Sequence, residues 1–151
     1  MRFWIEKTYP SNRKEGDFTN ILLSPRRAGG KNKADIYSNM RKVSINDVVL
    51  HLNQDTDTIE GYSYISDNYI EFEIEGEEYY SVNLTNYTEF KNEIEIYSIL
   101  NNEENQDILL KKKNELHNLF YMKKKKKFSL AQGAYLTEID TTYMNLLHLV
   151  K

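Results

Sequence analysis

The sequence contains no cysteine, only two prolines and six glycines, and a single tryptophan in 151 residues. Without cysteine, disulfide bonds, thiolate nucleophiles and zinc–thiolate sites are excluded. So little proline and glycine argues against a disordered or fibrous chain. No apolar run approaches the ~20 residues that a membrane-spanning helix needs. These absences predict a soluble, cytoplasmic chain in which residues 1–151 form one globular domain of common size.

Charge is distributed unevenly, although the net charge is only −3. Residues 1–54 carry ten basic and five acidic side chains, and residues 109–151 carry nine and three. Residues 55–108 carry one basic and fifteen acidic side chains. If the two basic ends meet in the fold, one face is basic and attracts a polyanion. The alternative is charge scattered over a solvated surface.

Hydrophobic periodicity predicts an α+β domain. Strands are expected near residues 2–7, 48–52, 59–66, 69–75, 79–84 and 134–139. Helices are expected at residues 35–43, 90–100 and 106–120, and Asp140 is expected to N-cap a last helix. Residues 123–127 are expected to form a basic loop. This order favours a curled antiparallel β-barrel of about five or six strands with helices packed around it.

Sequence motifs for catalysis are missing. There is no G-x-S-x-G motif, no G-x-G-x-x-G after a strand and no phosphate-binding P-loop. His51, His117 and His148 lie far apart, and each is interpreted as a structural residue rather than a ligand. We therefore expect no catalytic residue, no metal site and no cofactor, and predict that the chain is not an enzyme.

Two basic clusters favour nucleic-acid binding, because contacts to phosphate need positive charge but no particular sequence. Twelve tyrosines could include platforms on which bases stack, although most must fill the core. A run of five lysines is, on its own, also typical of a solvated loop. The predicted phosphate-binding residues are Arg26, Arg27, Lys31, Lys33, Lys123, Lys124, Lys125, Lys126 and Lys127.

Short motifs in a consistent order resemble the EVE and YTH domains of the PUA-like superfamily. The opening FWIEKTY of residues 3–9 resembles their first strand and the Lys-Ser/Thr-Tyr corner that follows it. LLSP at residues 22–25 and DIYSNMR at residues 35–41 resemble a loop and helix, and NDVVLHL at residues 46–52 resembles the next strand, with Gly61 opening the one after. LFY at residues 119–121 and QGAYLT at residues 132–137 are similar to the closing motif of EVE-like domains at the N-terminus of McrB-type restriction subunits.

The resemblance implies a PUA-like fold and a non-catalytic domain that flips a methylated base out of DNA into an aromatic cage. It implies that the corner after the first strand borders the cage and that the next motif forms a wall. Leu23 stands where a tryptophan is usual, so this wall cannot stack through a π-face. The base-pocket residues implied are Lys7, Thr8, Tyr9, Leu23, Ser24, Tyr69, Phe72 and Tyr135.

The resemblance also implies partners. In restriction systems of this kind a GTP-driven AAA+ motor and a separate nuclease carry the chemistry, so this chain would be the N-terminal piece of a longer protein or a separate small one. Two alternatives stay open. One is a PUA-like reader of modified RNA, which would require the 2′-hydroxyl. The other is a protein-interaction domain with a degenerate pocket, in keeping with Leu23.

Overall fold

The computed structural model describes residues 1–12, 19–25, 38–115, 119–131 and 134–149. Within these ranges the β-strands, numbered β1 to β9, are Phe3–Thr8, Ile21–Pro25, Val48–Asn53, Thr58–Ile65, Ile70–Ile74, Glu77–Glu95, Tyr121–Lys124, Lys127–Leu130 and Leu136–Ile139. The α-helices of the same ranges, α1 to α3, are Ile96–Leu100, Gln106–Glu115 and Thr141–Leu146. Short 3-10 helices cover Pro10–Asn12, Ser38–Arg41 and Glu103–Asn105.

Seven strands form one curled sheet, and the remaining two form a separate hairpin. The order across the sheet is β2-β6-β4-β3-β1-β9, with β5 added along β6, and β7 pairs with β8. The predicted α+β barrel with surrounding helices is confirmed. The sheet is mixed rather than purely antiparallel, because β1 pairs with β3 in parallel and with β9 in antiparallel orientation. The long connection between β1 and β3 makes the parallel pairing possible, since parallel strands need a crossover of a dozen residues or more.

The curled sheet separates two apolar clusters. Alternation along β1 sends Trp4 to one and Ile5 to the other. The helix-side cluster takes residues from the sheet, all three α-helices and the hairpin, and consists of Ile5, Leu50, Leu52, Ile59, Ile96, Leu100, Leu109, Leu119, Phe120, Tyr121, Phe128, Ile139, Tyr143, Met144 and Leu147. The barrel-side cluster lines the other face and consists of Trp4, Leu22, Met40, Val43, Val49, Ile65, Tyr80, Val82, Leu84 and Leu136.

Strand β6 is much longer than predicted. The helix expected at residues 90–100 begins only at Ile96, because β6 continues to Glu95 as the partner of β4. Phe90 and Ile94 pack against the helix-side cluster from this strand. Their spacing of four residues suits a helix equally well, so pairing with β4 decides the outcome.

Three other predicted elements differ from the observed ones in their type or in their bounds. The helix expected at residues 35–43 is a 3-10 helix, Ser38–Arg41, and residues 35–37 lie outside the described part of the chain. The helix expected at residues 106–120 ends at Glu115 in the described structure, and Leu119 and Phe120 lead directly into β7. The expected basic loop at residues 123–127 belongs to the hairpin of β7 and β8. Asp140 N-caps α3 as predicted, since its carboxylate accepts from the Tyr143 N–H at 3.3 Å.

Candidate nucleic-acid interface

The corner at the end of β1 is held by Lys7. Its backbone N–H donates to the Tyr135 carbonyl at 2.9 Å, and its ammonium donates to the Ala131 carbonyl. Lys7 is 5% exposed, and this burial lowers its pKa to about 8. Thr8 is half-buried and Tyr9 is 48% exposed, so the corner runs from the interior to the surface. At neutral pH Lys7 is therefore still mostly protonated, but its pKa lies only slightly above the pH.

Tyr135 closes the seam between the two ends of the sheet. It directly precedes β9, and its hydroxyl accepts from the Leu23 backbone N–H on β2 at 3.2 Å. Because β2 and β9 are the terminal strands of the sheet order, this bond joins the two edges of the half-barrel. The structure thus brings together Lys7, Leu23 and Tyr135, which are far apart in sequence.

Ser24 lies on the barrel side of β2. It pairs with Tyr80 across the β2–β6 ladder and is only 2% exposed. Its hydroxyl oxygen is buried and has no hydrogen-bond partner within the described ranges. A buried hydroxyl without a partner costs ~1–3 kcal/mol. By strand alternation, the neighbouring Leu23 side chain points to the opposite face of β2, so Ser24 is the one that faces the barrel interior.

Of the two residues predicted to supply the second wall, Tyr69 is on the barrel side. Tyr69 packs against the barrel-side cluster, with its ring edge-on to Tyr80 at 5.9 Å between centroids. Phe72 instead stacks on Tyr79, at 5.6 Å and 21° between planes. Tyr79 and Tyr80 are adjacent on β6 and point to opposite faces. Phe72 is therefore separated from Ser24 by the sheet.

A buried polar network continues the barrel interior beyond these residues. Glu6, His51 and Ser63 have no exposed surface. A Glu6 carboxylate oxygen lies 2.8 Å from His51 Nδ1, and His51 Nε2 lies 2.7 Å from Ser63 Oγ. Ser63 in turn donates to the Thr19 carbonyl at 2.9 Å, just before β2. Because that carbonyl can only accept, the Ser63 hydroxyl uses its single proton for this bond. His51 Nε2 must therefore donate to Ser63 Oγ. One proton is then shared between His51 Nδ1 and Glu6.

This network supplies His51 with two hydrogen-bond partners inside the fold, as its interpretation as a structural residue expects, but sequence reasoning missed Glu6. The feature that would have revealed Glu6 is the parallel register of β1 and β3, which places Glu6 directly beside His51. A glutamate in a strand normally indicates a solvent-facing position, so the pattern alone pointed the other way.

A second missed residue is Asp47, which ties the start of β1 to β3. Its carboxylate accepts from the Arg2 backbone N–H at 2.9 Å, the Trp4 indole N–H at 3.0 Å and the Ser44 backbone N–H at 2.9 Å. Burial by itself would raise the pKa of Asp47, but these three donors outweigh it and hold the pKa below its ordinary value. The carboxylate thereby fixes the only tryptophan of the chain in the barrel-side cluster.

The predicted phosphate-binding lysines of the second cluster form the hairpin of β7 and β8, hereafter the lysine hairpin. Its five lysines at residues 123–127 are all exposed. Its aromatic residues Tyr121 and Phe128 belong to the helix-side cluster, so the sheet separates it from Ser24 and Tyr69. The other predicted cluster, Arg26, Arg27, Lys31 and Lys33, lies outside the described residues.

Comparisons with known proteins identify the fold. No protein-family model matches the chain, and no curated protein matches its sequence. A protein of Leishmania major superposes with a TM-score of 0.56 at 11% identity, covering 99% of this chain and 94% of that one. A protein of Agrobacterium tumefaciens gives 0.55 at 10% identity, covering 99% and 92%.

The N-terminal domain of Staphylothermus marinus McrB superposes with a TM-score of 0.53 at 11% identity, covering 97% of this chain and 92% of that one. At such identities the likeness shows the fold alone. The chain therefore has a curled α+β half-barrel of the kind found in that McrB domain, which fits the predicted PUA-like barrel. In the described part of the chain, every helix is too short or too polar to cross a membrane.

Proposed function

We propose that this chain is a non-catalytic DNA-binding domain that recognises a methylated or otherwise modified base by flipping it into a pocket on the barrel side. The observation that carries the proposal is Ser24, a buried hydroxyl without a described partner at a position where the sequence resemblance implies a pocket wall. A polar edge of a flipped base would supply the missing hydrogen bond.

The surroundings of Ser24 suit a base. Tyr80 lies opposite it on β6, and Tyr69 meets Tyr80 edge-on. Tyr135 stands at the seam and packs against the barrel-side cluster. Lys7 donates its backbone N–H to the Tyr135 carbonyl, but by strand alternation its side chain lies on the helix side with Ile5. Flipping costs a few kcal/mol of unstacking, which aromatic contacts and hydrogen bonds to the base edge offset. A methyl group adds ~0.8 kcal/mol when fully buried, so an apolar wall favours the modified base.

The proposed cellular role follows from the likeness to the McrB domain and from the sequence resemblance. In this role the domain would direct a McrB-type restriction complex to modified DNA. An AAA+ motor and a nuclease subunit would supply the chemistry, and the domain itself would need neither metal nor cofactor. Phosphate contacts beside the pocket would come from the predicted basic cluster at residues 26–33, whereas the sheet separates the other predicted cluster, at residues 123–127, from Ser24.

Fluorescence anisotropy with labelled DNA tests the proposal. Short duplexes carrying N6-methyladenine, 5-methylcytosine, 5-hydroxymethylcytosine or no modification are compared at about 100 mM salt, with matching RNAs alongside. We expect a preference of about tenfold or more, or ~1.4 kcal/mol, for one modified duplex. Ser24→Ala should remove most of that preference while binding of the unmodified duplex persists. Ser66→Ala, at a half-buried serine just after β4, is the matched control and should keep the preference.

The other outcomes assign the domain differently. Equal, salt-sensitive binding to every duplex would mean a basic surface without base recognition. A requirement for the 2′-hydroxyl would favour a reader of modified RNA. Absence of nucleic-acid binding would favour a protein-interaction domain whose pocket has lost its ligand.

A further inference from the structure

A groove of about 620 Å³ lies between the lysine hairpin and the end of α1. This volume is in the range of sites that hold a small-molecule ligand. Its lining is Tyr97, Asn101, Lys124, Lys125, Lys126, Lys127, Phe128 and Ser129. The groove is on the helix side of the sheet, because Phe128 belongs to the helix-side cluster and Tyr97 packs against it. It is therefore a different place from the pocket proposed around Ser24.

The positions of the lysines in this groove lower the stability of the folded hairpin. Lys124 and Lys127 are directly opposite each other across β7 and β8, and like charges in that arrangement are destabilising. Lys125, at the tip, has φ of 58°, a left-handed conformation that favours glycine or asparagine. The ion pairs found among the described residues involve none of these lysines. Four neighbouring cations without a described anionic partner are relieved by binding a polyanion.

One wall of the groove is aromatic. Tyr97 is half-buried, and its hydroxyl accepts from the Leu130 backbone N–H at 3.4 Å, which ties α1 to β8. Phe128, 3% exposed, lies beneath. A ring held beside a row of ammonium groups suits a base stacked on the ring with its flanking phosphates on the lysines. An acidic peptide would use the charges but not the ring, and a paired duplex keeps its bases inside the stack.

We infer that this groove is a binding site for a single-stranded nucleic-acid segment, with the lysine hairpin contacting phosphates and Tyr97 stacking on a base. The site is independent of the base pocket proposed above. The groove can bind a single strand even if the pocket around Ser24 recognises no modified base. Equally, it can fail to bind a single strand even if that pocket recognises one.

The test measures anisotropy of a labelled oligothymidylate of ~8 nucleotides, a length within the usual range for one single-strand site. The triple variant K124Q/K126Q/K127Q should weaken binding at least tenfold and reduce the magnitude of the salt slope by ~2, since each phosphate contact on a single strand contributes ~0.7. The matched control K91Q/K111Q/K113Q removes the same charge from β6 and α2 and should stay within threefold of wild type. Equal losses in both triples would overturn the site, because they would indicate long-range charge alone.

Tyr97 gives a second readout. Y97L should weaken binding about fivefold or more with an unchanged salt slope, whereas Y97F keeps the ring and should bind as wild type. If Y97L fails to fold, hydrogen exchange of the wild-type chain takes its place. Added oligothymidylate should then protect amides at Asn101 and at the hairpin tip. Unchanged affinity in a folded Y97L, unchanged exchange, or equally tight binding of a polyglutamate peptide would each contradict the inference.

Discussion

The two faces of the sheet bury different kinds of side chains. The helix-side cluster is entirely apolar or aromatic, and its polar atoms are satisfied locally, as when the Tyr121 hydroxyl donates to the Leu109 carbonyl at 2.7 Å. The barrel side has a smaller apolar cluster beside a glutamate, a histidine and two serines that are all buried. Apolar residues stabilise a buried face most readily, because each buried polar group costs free energy unless it finds a hydrogen-bond partner. Under the proposed function, the helix-side cluster stabilises the fold and the barrel side supplies recognition of the modified base.

The largest expected effect comes from opening the helix side. Phe120 is 2% exposed and meets Tyr121 and Tyr143 edge-on, at 5.0 and 5.7 Å between centroids. Phe120→Ala should lower the free energy of unfolding by ~3–5 kcal/mol, because it removes an aromatic side chain from a packed core. Urea denaturation measures this loss. Where the variant remains folded, its preference among modified duplexes should match wild type, and an altered preference would contradict the division between the faces.

A smaller loss is expected from Asp47 on the barrel side. Asp47→Ala leaves the Trp4 indole and two backbone N–H groups without their acceptor and should cost ~2–3 kcal/mol. Because the folded-state pKa of Asp47 is lowered, its contribution is present above the unfolded pKa of ~3.9 and is lost as the pH falls through the folded value. Denaturation at a series of pH values from about 7 down to 2 should therefore show a shallower acid loss in the variant than in wild type. Parallel curves would exclude the role assigned to this carboxylate.

The pKa of Lys7 gives a prediction for binding. Since burial lowers that pKa to about 8, the cation is lost as the pH rises through 8 rather than near 10.5. Wild type should bind DNA several-fold more tightly than Lys7→Met at about pH 7, and this advantage should disappear by about pH 9. Anisotropy of both proteins across this range decides it. An advantage that persists to pH 10 would mean that the lysine acts through the hydrogen bond of its amine to the Ala131 carbonyl rather than through its charge, and no advantage at pH 7 would place Lys7 outside the interface.

The smallest effect is expected at the surface of α2. Lys112 and Asp140 form an ion pair of 2.5 Å, with 19% and 46% of their side chains exposed. Lys112→Ala should cost less than ~1 kcal/mol, because an exposed pair is screened by water and salt. Thermal unfolding at low and high salt measures it, and a loss as large as that of Asp47→Ala would show that surface charge matters more to this fold than its buried polar groups.

Local patterns were enough to predict much of the fold. Alternation and β-branched residues predicted β3 and β4, and Asp140 predicted the start of α3. The extension of β6 through Phe90 and Ile94 was not predictable, because its pairing with β4 is a tertiary contact. Motif resemblance pointed to Lys7 and Tyr135 as pocket residues, but it did not predict that Tyr135 joins β9 to β2, because that bond links residues 112 positions apart. Glu6 was not predicted either, since its burial depends on His51, 45 residues away. The groove beside Tyr97 likewise exists only once the lysine hairpin packs on α1.

The most direct test of the account combines one variant from each face. Ser24→Ala, the hairpin triple K124Q/K126Q/K127Q and their combination are titrated with a modified duplex, its unmodified twin and the single-stranded oligonucleotide. We predict that Ser24→Ala alone changes the modified-to-unmodified ratio, that the triple alone weakens single-strand binding, and that the losses add within ~0.5 kcal/mol, as expected for separate sites. A hairpin triple that abolishes the ratio, or a Ser24→Ala that leaves it intact, would contradict the assignment of recognition to the barrel side.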